Sequence, residues 1–450
     1  MERKELRRKR RIRNQIIIYT VAFIFLIAVG FGAFAGVRYV SGLMQEKKAA
    51  EELQAQQEAL AAEAALLAAQ MAEAEAEREA EAAAEEEAAE EETVPVPTEE
   101  ELLEELAESC VANMSLEDKV AGLFIVTPEQ ITGVETAVKA GEGTREALAK
   151  YPVGGLIYFA KNIQSEEQIT EMLKNTVEYS KYPLFLAVDE EGGTVARVAD
   201  ALSLENVGDM ADIGASGDVE AARQASAAIA GYLKKYGFNL NFAPVADVLT
   251  NPDNKVIGKR AFGSDAQLVA QMVGSAVPGM QENGVSACVK HFPGHGDTAG
   301  DSHEGSVENT RTLEEMQTVE FLPFQSAIAS GVDMIMAGHI GAPGLTGGDS
   351  VPASMNEKIL TEILRGQLGY NGIIITDAMN MSSVTEYYTA DEAAIKALKA
   401  GADMILMPEN FETAYKGVIA AVQDGTIDER RIDDSLKRIY CVKYADTLQQ

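Results

Sequence analysis

Eight short apolar runs, each followed by an amphipathic helical stretch, fill roughly the last 345 residues of this chain, and they restrict its fold more than any other feature. The runs are Val120–Thr127, Gly154–Ala160, Pro183–Asp189, Leu240–Ala246, Val285–Lys290, Met334–His339, Gly372–Asp377 and Asp403–Pro408. Runs rich in β-branched residues with helices between them belong to a parallel sheet wrapped by helices. Eight such units predict an α/β fold, a (β/α)8 TIM-type barrel over residues 105–450 with a few extended loops. Asp189, Asp247, Lys290, His339, Asp377 and Glu409 each end a run or stand just past one. In such barrels the carboxyl ends of the strands form the active-site face. A doubly wound sheet also explains the alternation, but it does not bring six polar strand ends to one centre.

The first hundred or so residues have another composition and cannot belong to that core. Residues 3–13 hold eight Lys or Arg against Glu5, and an uncharged, mostly apolar run follows from Ile16 to Val37. At about 22 residues it is long enough to cross a bilayer. A cleaved signal peptide is the competing reading, with Ala33-Phe34-Ala35 as its small-residue pattern, but the run is too long for a usual signal core. The expectation is a basic cytoplasmic tail (1–14), a single-pass membrane anchor (15–40) and the rest of the chain outside the cell. Residues 46–92 consist almost wholly of Ala, Glu, Gln and Leu without Gly or Pro, which predicts a helical stalk over 41–92. At about 1.5 Å per residue it would reach roughly 70 Å. Leu53, Leu60 and Leu67 hint at a coiled-coil seam, but the pattern fades into Ala and Glu, so a solvated spacer is expected. Thr93-VPVP-Thr98 breaks the helix and begins a linker over 93–104.

Of the formal net charge of −33, residues 46–108 contribute −19, from 22 Glu against three Lys or Arg. The barrel region is acidic as well, which excludes a nucleic-acid partner, since a phosphate backbone needs a basic face. Cys110, Cys288 and Cys441 are odd in number and widely spaced, so they predict neither a disulfide framework nor a zinc site.

All four histidines, His291, His295, His303 and His339, lie within about fifty residues of one another. Three of them stand in Lys290-HFPGHGDTAGDSHE-Gly305, whose composition suits a polar loop on a scaffold. With this stretch go Val188-DEEGGTVAR-Val198, Phe242-APVADVLTNPDNKVIGKRAF-Gly263, Met336-AGH-Ile340 and Thr376-DAMNM-Ser382. In this order the motifs resemble glycoside hydrolase family 3, in its β-N-acetylglucosaminidase branch, which the Asp-Ser-His ending of the histidine loop marks. Some relatives carry a second domain after the barrel; the residues after Asp377 are expected to be used up by the eighth strand and closing helices.

The resemblance implies that Asp377 forms a covalent glycosyl-enzyme intermediate in a retaining mechanism. It assigns acid and base work to His303 with Asp301, and sugar binding to Asp189, Arg197, Arg260, Lys290 and His291. The implied substrate is a glycan ending in N-acetylglucosamine, cleaved without cofactor or metal. Read from the residues alone, Asp377 could instead cap the helix starting near Ser382, and Arg197 and Arg260 could order a loop through salt bridges. Asp301 could hold the His303 ring through one extended residue, and Gly296 and Gly300 would lend the loop the freedom to close over sugar. Glu190 and Glu191 are expected to serve their loop, His339 to support the site from behind, and His295 to shape its own loop. Two other classes stay open. His295, Asp297, Asp301 and His303 are residue types that bind metals, as in a metallohydrolase. A tethered glycan-binding module without turnover would share the anchor and stalk. Within the family, a β-glucosidase or a phosphorylase-type enzyme is the alternative, and the oligomeric state is not readable.

Overall fold

The computed structural model describes residues 98–300 and 305–448, within a compact unit that runs from Pro97 to Gln450. The expected tail, anchor and stalk lie outside the described residues. Among the described residues no helix is long and apolar enough to cross a membrane.

Each apolar run of the sequence carries one barrel strand, and the fifth strand continues past its run to Phe292. These are β1 (Phe124–Val126), β2 (Gly155–Ile157), β3 (Phe185–Val188), β4 (Leu240–Asn241), β5 (Ser286–Phe292), β6 (Met334–Ala337), β7 (Ile373–Thr376) and β8 (Ile405–Leu406). They pair in parallel in the order β7-β6-β5-β4-β3-β2-β1-β8. A parallel bridge between Ile375 and Met404 brings β7 to β8 and nearly closes the barrel. A strand buried on both faces has no polar alternation, which is why β7 reads Ile-Ile-Ile-Thr with every residue buried.

Several helices begin on side-chain caps. Ser165, Asp218, Asp265, Thr312 and Asn410 each accept a hydrogen bond from an N–H of the first turn that follows. Such caps satisfy otherwise unpaired donors and fix where each βα loop ends. Helix Val219–Tyr236 ends on Gly237 at φ 103°, a conformation open to glycine and costly for other residues.

At the amino-terminal end of the barrel, Asp403 is fully buried just before β8. It receives Arg365, Arg438 (3.1 Å), the Ser435 hydroxyl (2.7 Å) and the Ile374 N–H (2.8 Å), with Arg431 at 3.6 Å. This cluster ties helix Glu429–Leu448 to the back of the barrel. Helix Glu99–Ala112 docks on that same helix through Lys437–Glu108 at 2.7 Å and Cys441 Sγ to the Leu103 carbonyl at 3.7 Å. The linker expected over 93–104 therefore gives way to a helix at Glu99, capped by Thr98 and Glu101. Its Glu-rich composition continues that of the stalk, which hid the boundary. None of the three cysteines forms a disulfide among the described residues, and Cys288 is buried within β5.

Candidate active site

Lys290, two residues before the end of β5, is only 3% exposed, and its Nζ meets two carboxylates, Asp189 Oδ1 at 2.6 Å and Glu191 Oε1 at 2.7 Å. Glu191 also takes both arms of Arg260, Nε at 2.7 Å and Nη2 at 2.9 Å, while Arg260 Nη1 donates to the Val256 carbonyl at 3.0 Å. Burial alone would raise the Glu191 pKa, but Lys290 and Arg260 outweigh it and hold the group at about 2. Burial would likewise lower Lys290, and Asp189 and Glu191 outweigh that, so its ammonium is retained. The network leaves the Asp189 side chain 23% exposed at the open end of the barrel. Arg260, expected to touch sugar, directs two nitrogens to Glu191, the salt bridge that the sequence also allowed.

Asp247, past the end of β4, is fully buried and accepts from His291 Nδ1 at 2.7 Å and from the His295 N–H at 2.6 Å. A carboxylate cannot donate, so His291 Nδ1 carries a proton and its Nε2 is the ring atom left for other work. Burial pushes Asp247 up, but His291 and its hydrogen bond bring its pKa below the ordinary value. The sequence had placed Asp247 among the polar strand ends without giving it a role. Its 44-residue separation from His291 conceals the contact.

Asp377 follows β7, and its N–H extends the sheet to the Ala337 carbonyl at 2.8 Å. Its Oδ1 accepts from the Ala378 N–H at 2.7 Å. Burial works against its charge, and His291, His339, the Ala378 amide and Lys290 together outweigh it, holding the carboxyl below its usual pKa. His339 Nε2 lies 3.0 Å from the Ala378 carbonyl and its Nδ1 2.7 Å from the Ser354 hydroxyl. A carbonyl only accepts, so Nε2 is the donor, and His339 braces the turn that carries Asp377.

Glu190 is fully buried, and its carboxylate accepts from the Val198 N–H (2.7 Å), the Ala199 N–H (3.0 Å) and the Tyr232 hydroxyl (2.7 Å). It thereby caps helix Arg197–Leu202, as expected of a residue that serves its loop, and fixes Arg197 in the first turn. The Arg197 Nε is buried with no hydrogen-bond partner among the described residues.

The first half of the histidine loop is anchored. Asn251 donates its N–H to the Gly296 carbonyl at 3.1 Å and its Nδ2 to the Thr298 carbonyl at 3.0 Å. Asn254 Nδ2 reaches the His295 carbonyl at 2.8 Å, and Thr298 Oγ1 pairs with His295 Nδ1 at 2.7 Å. A Cβ on Gly296 would stand 1.9 Å from the Val248 carbonyl, so this glycine allows close backbone approach and is not the hinge that its sequence suggested. Asp297 Oδ1 accepts from Thr250 at 2.7 Å and Arg311 at 2.9 Å. Two of the four side chains suited to a metal, His295 and Asp297, thus have protein partners. Asp301 and His303 lie outside the described residues.

Residues 115–442 match the glycosyl hydrolase family 3 N terminal domain. Beta-hexosaminidase A of Pseudoalteromonas piscicida is 36% identical over 326 residues, 66% of this chain and 54% of that protein. The chain thus spans about half the length of that relative. A beta-hexosaminidase of Nitrosomonas eutropha is 34% identical over 61% of this chain and 78% of its own. A glycoside hydrolase family 3 beta-N-acetylglucosaminidase from Paenibacillus sp. superimposes with a TM-score of 0.68 at 36% identity, covering 75% of this chain and 64% of that one. With barrel, order of strand-end residues and family match in agreement, this chain belongs to glycosyl hydrolase family 3.

Proposed function

We propose that the chain is an exo-acting, retaining β-N-acetylglucosaminidase that removes terminal N-acetylglucosamine from peptidoglycan fragments or related glycans. The observation that carries this is Asp377, kept ionised at the open end of the barrel and braced by β7 and His339. Asp377 attacks the anomeric carbon as the glycosidic bond breaks, and His303 gives its proton to the departing oxygen. His303, oriented by Asp301, then takes a proton from water, which attacks the same carbon and frees Asp377. Asp189 and Lys290 grip the sugar hydroxyls, His291 offers its Nε2, and Arg197 its guanidinium. Arg260 acts through Glu191, holding Lys290 in place. The relatives' names support the N-acetylglucosamine preference. The apolar run 16–37 and the stalk composition support display outside the cell on a single membrane anchor.

Release of nitrophenol from 4-nitrophenyl N-acetyl-β-glucosaminide by the full chain tests the reading. Turnover should survive EDTA and vanish in Asp377→Ala. Loss with EDTA alone, or no turnover in the wild type, overturns it.

A further inference from the structure

Among the described residues, the exposed large apolar side chains are Leu106, Val134, Val177 and Tyr387, and Tyr387 is both the aromatic one and, at 61%, the most exposed. It stands ten residues after Asp377, in the segment that joins the end of β7 to helix Ala390–Ala400. Topology therefore puts it on the loop side of the barrel, on the same loop as the proposed nucleophile.

The backbone beneath this ring is fixed. Met379, Met381 and Val384 are buried, and the N–H groups of Tyr387 and Tyr388 both donate to the Val384 carbonyl at 3.0 Å. Thr389 and Glu392 then close a capping box on the next helix. Asn380, three residues past Asp377, is also exposed. A large aromatic face held in water forgoes its own burial, and a rigid tyrosine with few free torsions loses little freedom when something covers it.

An exo-acting enzyme takes the terminal sugar into the pocket, so the remainder of the glycan must pass over the rim. Attack by Asp377 from the strand end drives the departing oxygen away from the pocket floor and toward the level of the loops. A β-linked pyranose with equatorial substituents turns a face of axial C–H groups to its surroundings, which matches an aromatic ring.

We propose that Tyr387 is the platform on which the leaving-group sugar lies, with Asn380 positioned to hydrogen-bond a polar group of that sugar. The proposal rests on the glycosidase reading above. Tyr387 thereby sets preference for the aglycone and leaves the terminal sugar to the pocket.

The test compares two substrates of the full chain: the β-1,4-linked disaccharide of N-acetylglucosamine, and methyl N-acetyl-β-glucosaminide, whose aglycone is too small to stack. Tyr387→Ala should raise KM for the disaccharide by roughly three- to tenfold, the span expected of one aromatic contact. Its kcat/KM on the methyl glycoside should stay within about twofold, and Tyr387→Phe should behave as wild type on both. Equal loss on both substrates, or no loss on the disaccharide, overturns the platform while the glycosidase stands. A wild type that cleaves neither substrate sinks the glycosidase reading and the platform with it.

Discussion

At the back of the barrel Asp403 is enclosed by three guanidinium groups, a serine hydroxyl and a backbone N–H, whereas at the open end Asp377, one strand over, accepts from the amide of its own neighbour Ala378. Both carboxylates stand in a field of cations. At Asp403 the cations are in contact and every lone pair has a donor, so the group joins helices to strands and has nothing left to offer. At Asp377 the histidines and Lys290 act through space, which keeps the charge while leaving acceptor positions open. A fully satisfied buried network rigidifies, and an ionised group with spare lone pairs can react.

Conservative amides should separate the two roles. Asp377→Asn should lower kcat by roughly 10⁴-fold with little change in unfolding midpoint. Asp403→Asn should cost about 3 to 5 kcal/mol in denaturant unfolding, because it leaves guanidinium groups buried without their partner, with kcat of the folded protein within about twofold. If Asp403→Asn loses activity without losing stability, the division between the two ends fails.

The next largest effect belongs to Glu191. Glu191→Gln frees Lys290 from one of its two anchors, and kcat/KM should fall by about 10²-fold, chiefly through KM. Because the Glu191 pKa is held near 2, below its ordinary 4.5, its ionised form contributes stability that is present above pH 4.5 and lost as pH falls toward 2. The deficit of the variant, on the order of 3 kcal/mol at pH 7, should shrink between pH 5 and 3. A deficit that does not change with pH would remove charge as its cause.

Asp333, just before β6 at the opposite end, should answer with the reverse sign. Burial lifts it from 3.8 to about 6 against the pull of the Ser286 hydroxyl, so its contribution is present below pH 3.8 and lost as pH rises through 6. Asp333→Asn should therefore stabilise the chain by about 2 kcal/mol at pH 8 and leave it unchanged near pH 4. Thermal melts at the two pH values decide this, and an equal change at both would contradict it.

The barrel was legible because its strands are buried on both faces. Such a strand is mostly apolar, and after β3 and β7 the first polar residue marks where the chain leaves the core, as Asp189 and Asp377 do. The hidden parts are those that depend on which strand ends face each other. Asp247 is a plain acidic residue until β4 and β5 lie side by side and His291 points at it. The sequence does not say that Glu191 turns inward to meet Arg260. Gly296 looked like a hinge because a glycine chosen for closeness and one chosen for motion are the same letter. Glu190 was legible as a loop residue, but its helix-capping geometry was not, since the helix it caps begins seven residues later.

Helix Glu99–Ala112 enters the barrel domain against helix Glu429–Leu448, which is itself bolted to the back of the barrel through Asp403. A mechanical load arriving along the chain before residue 98 would thus run through Glu108, Lys437 and Arg438 into the base of β8 and bypass the loops that carry Asp189, Lys290 and Asp377. A pull on the chain ahead of residue 98 would leave the working parts of the domain in register.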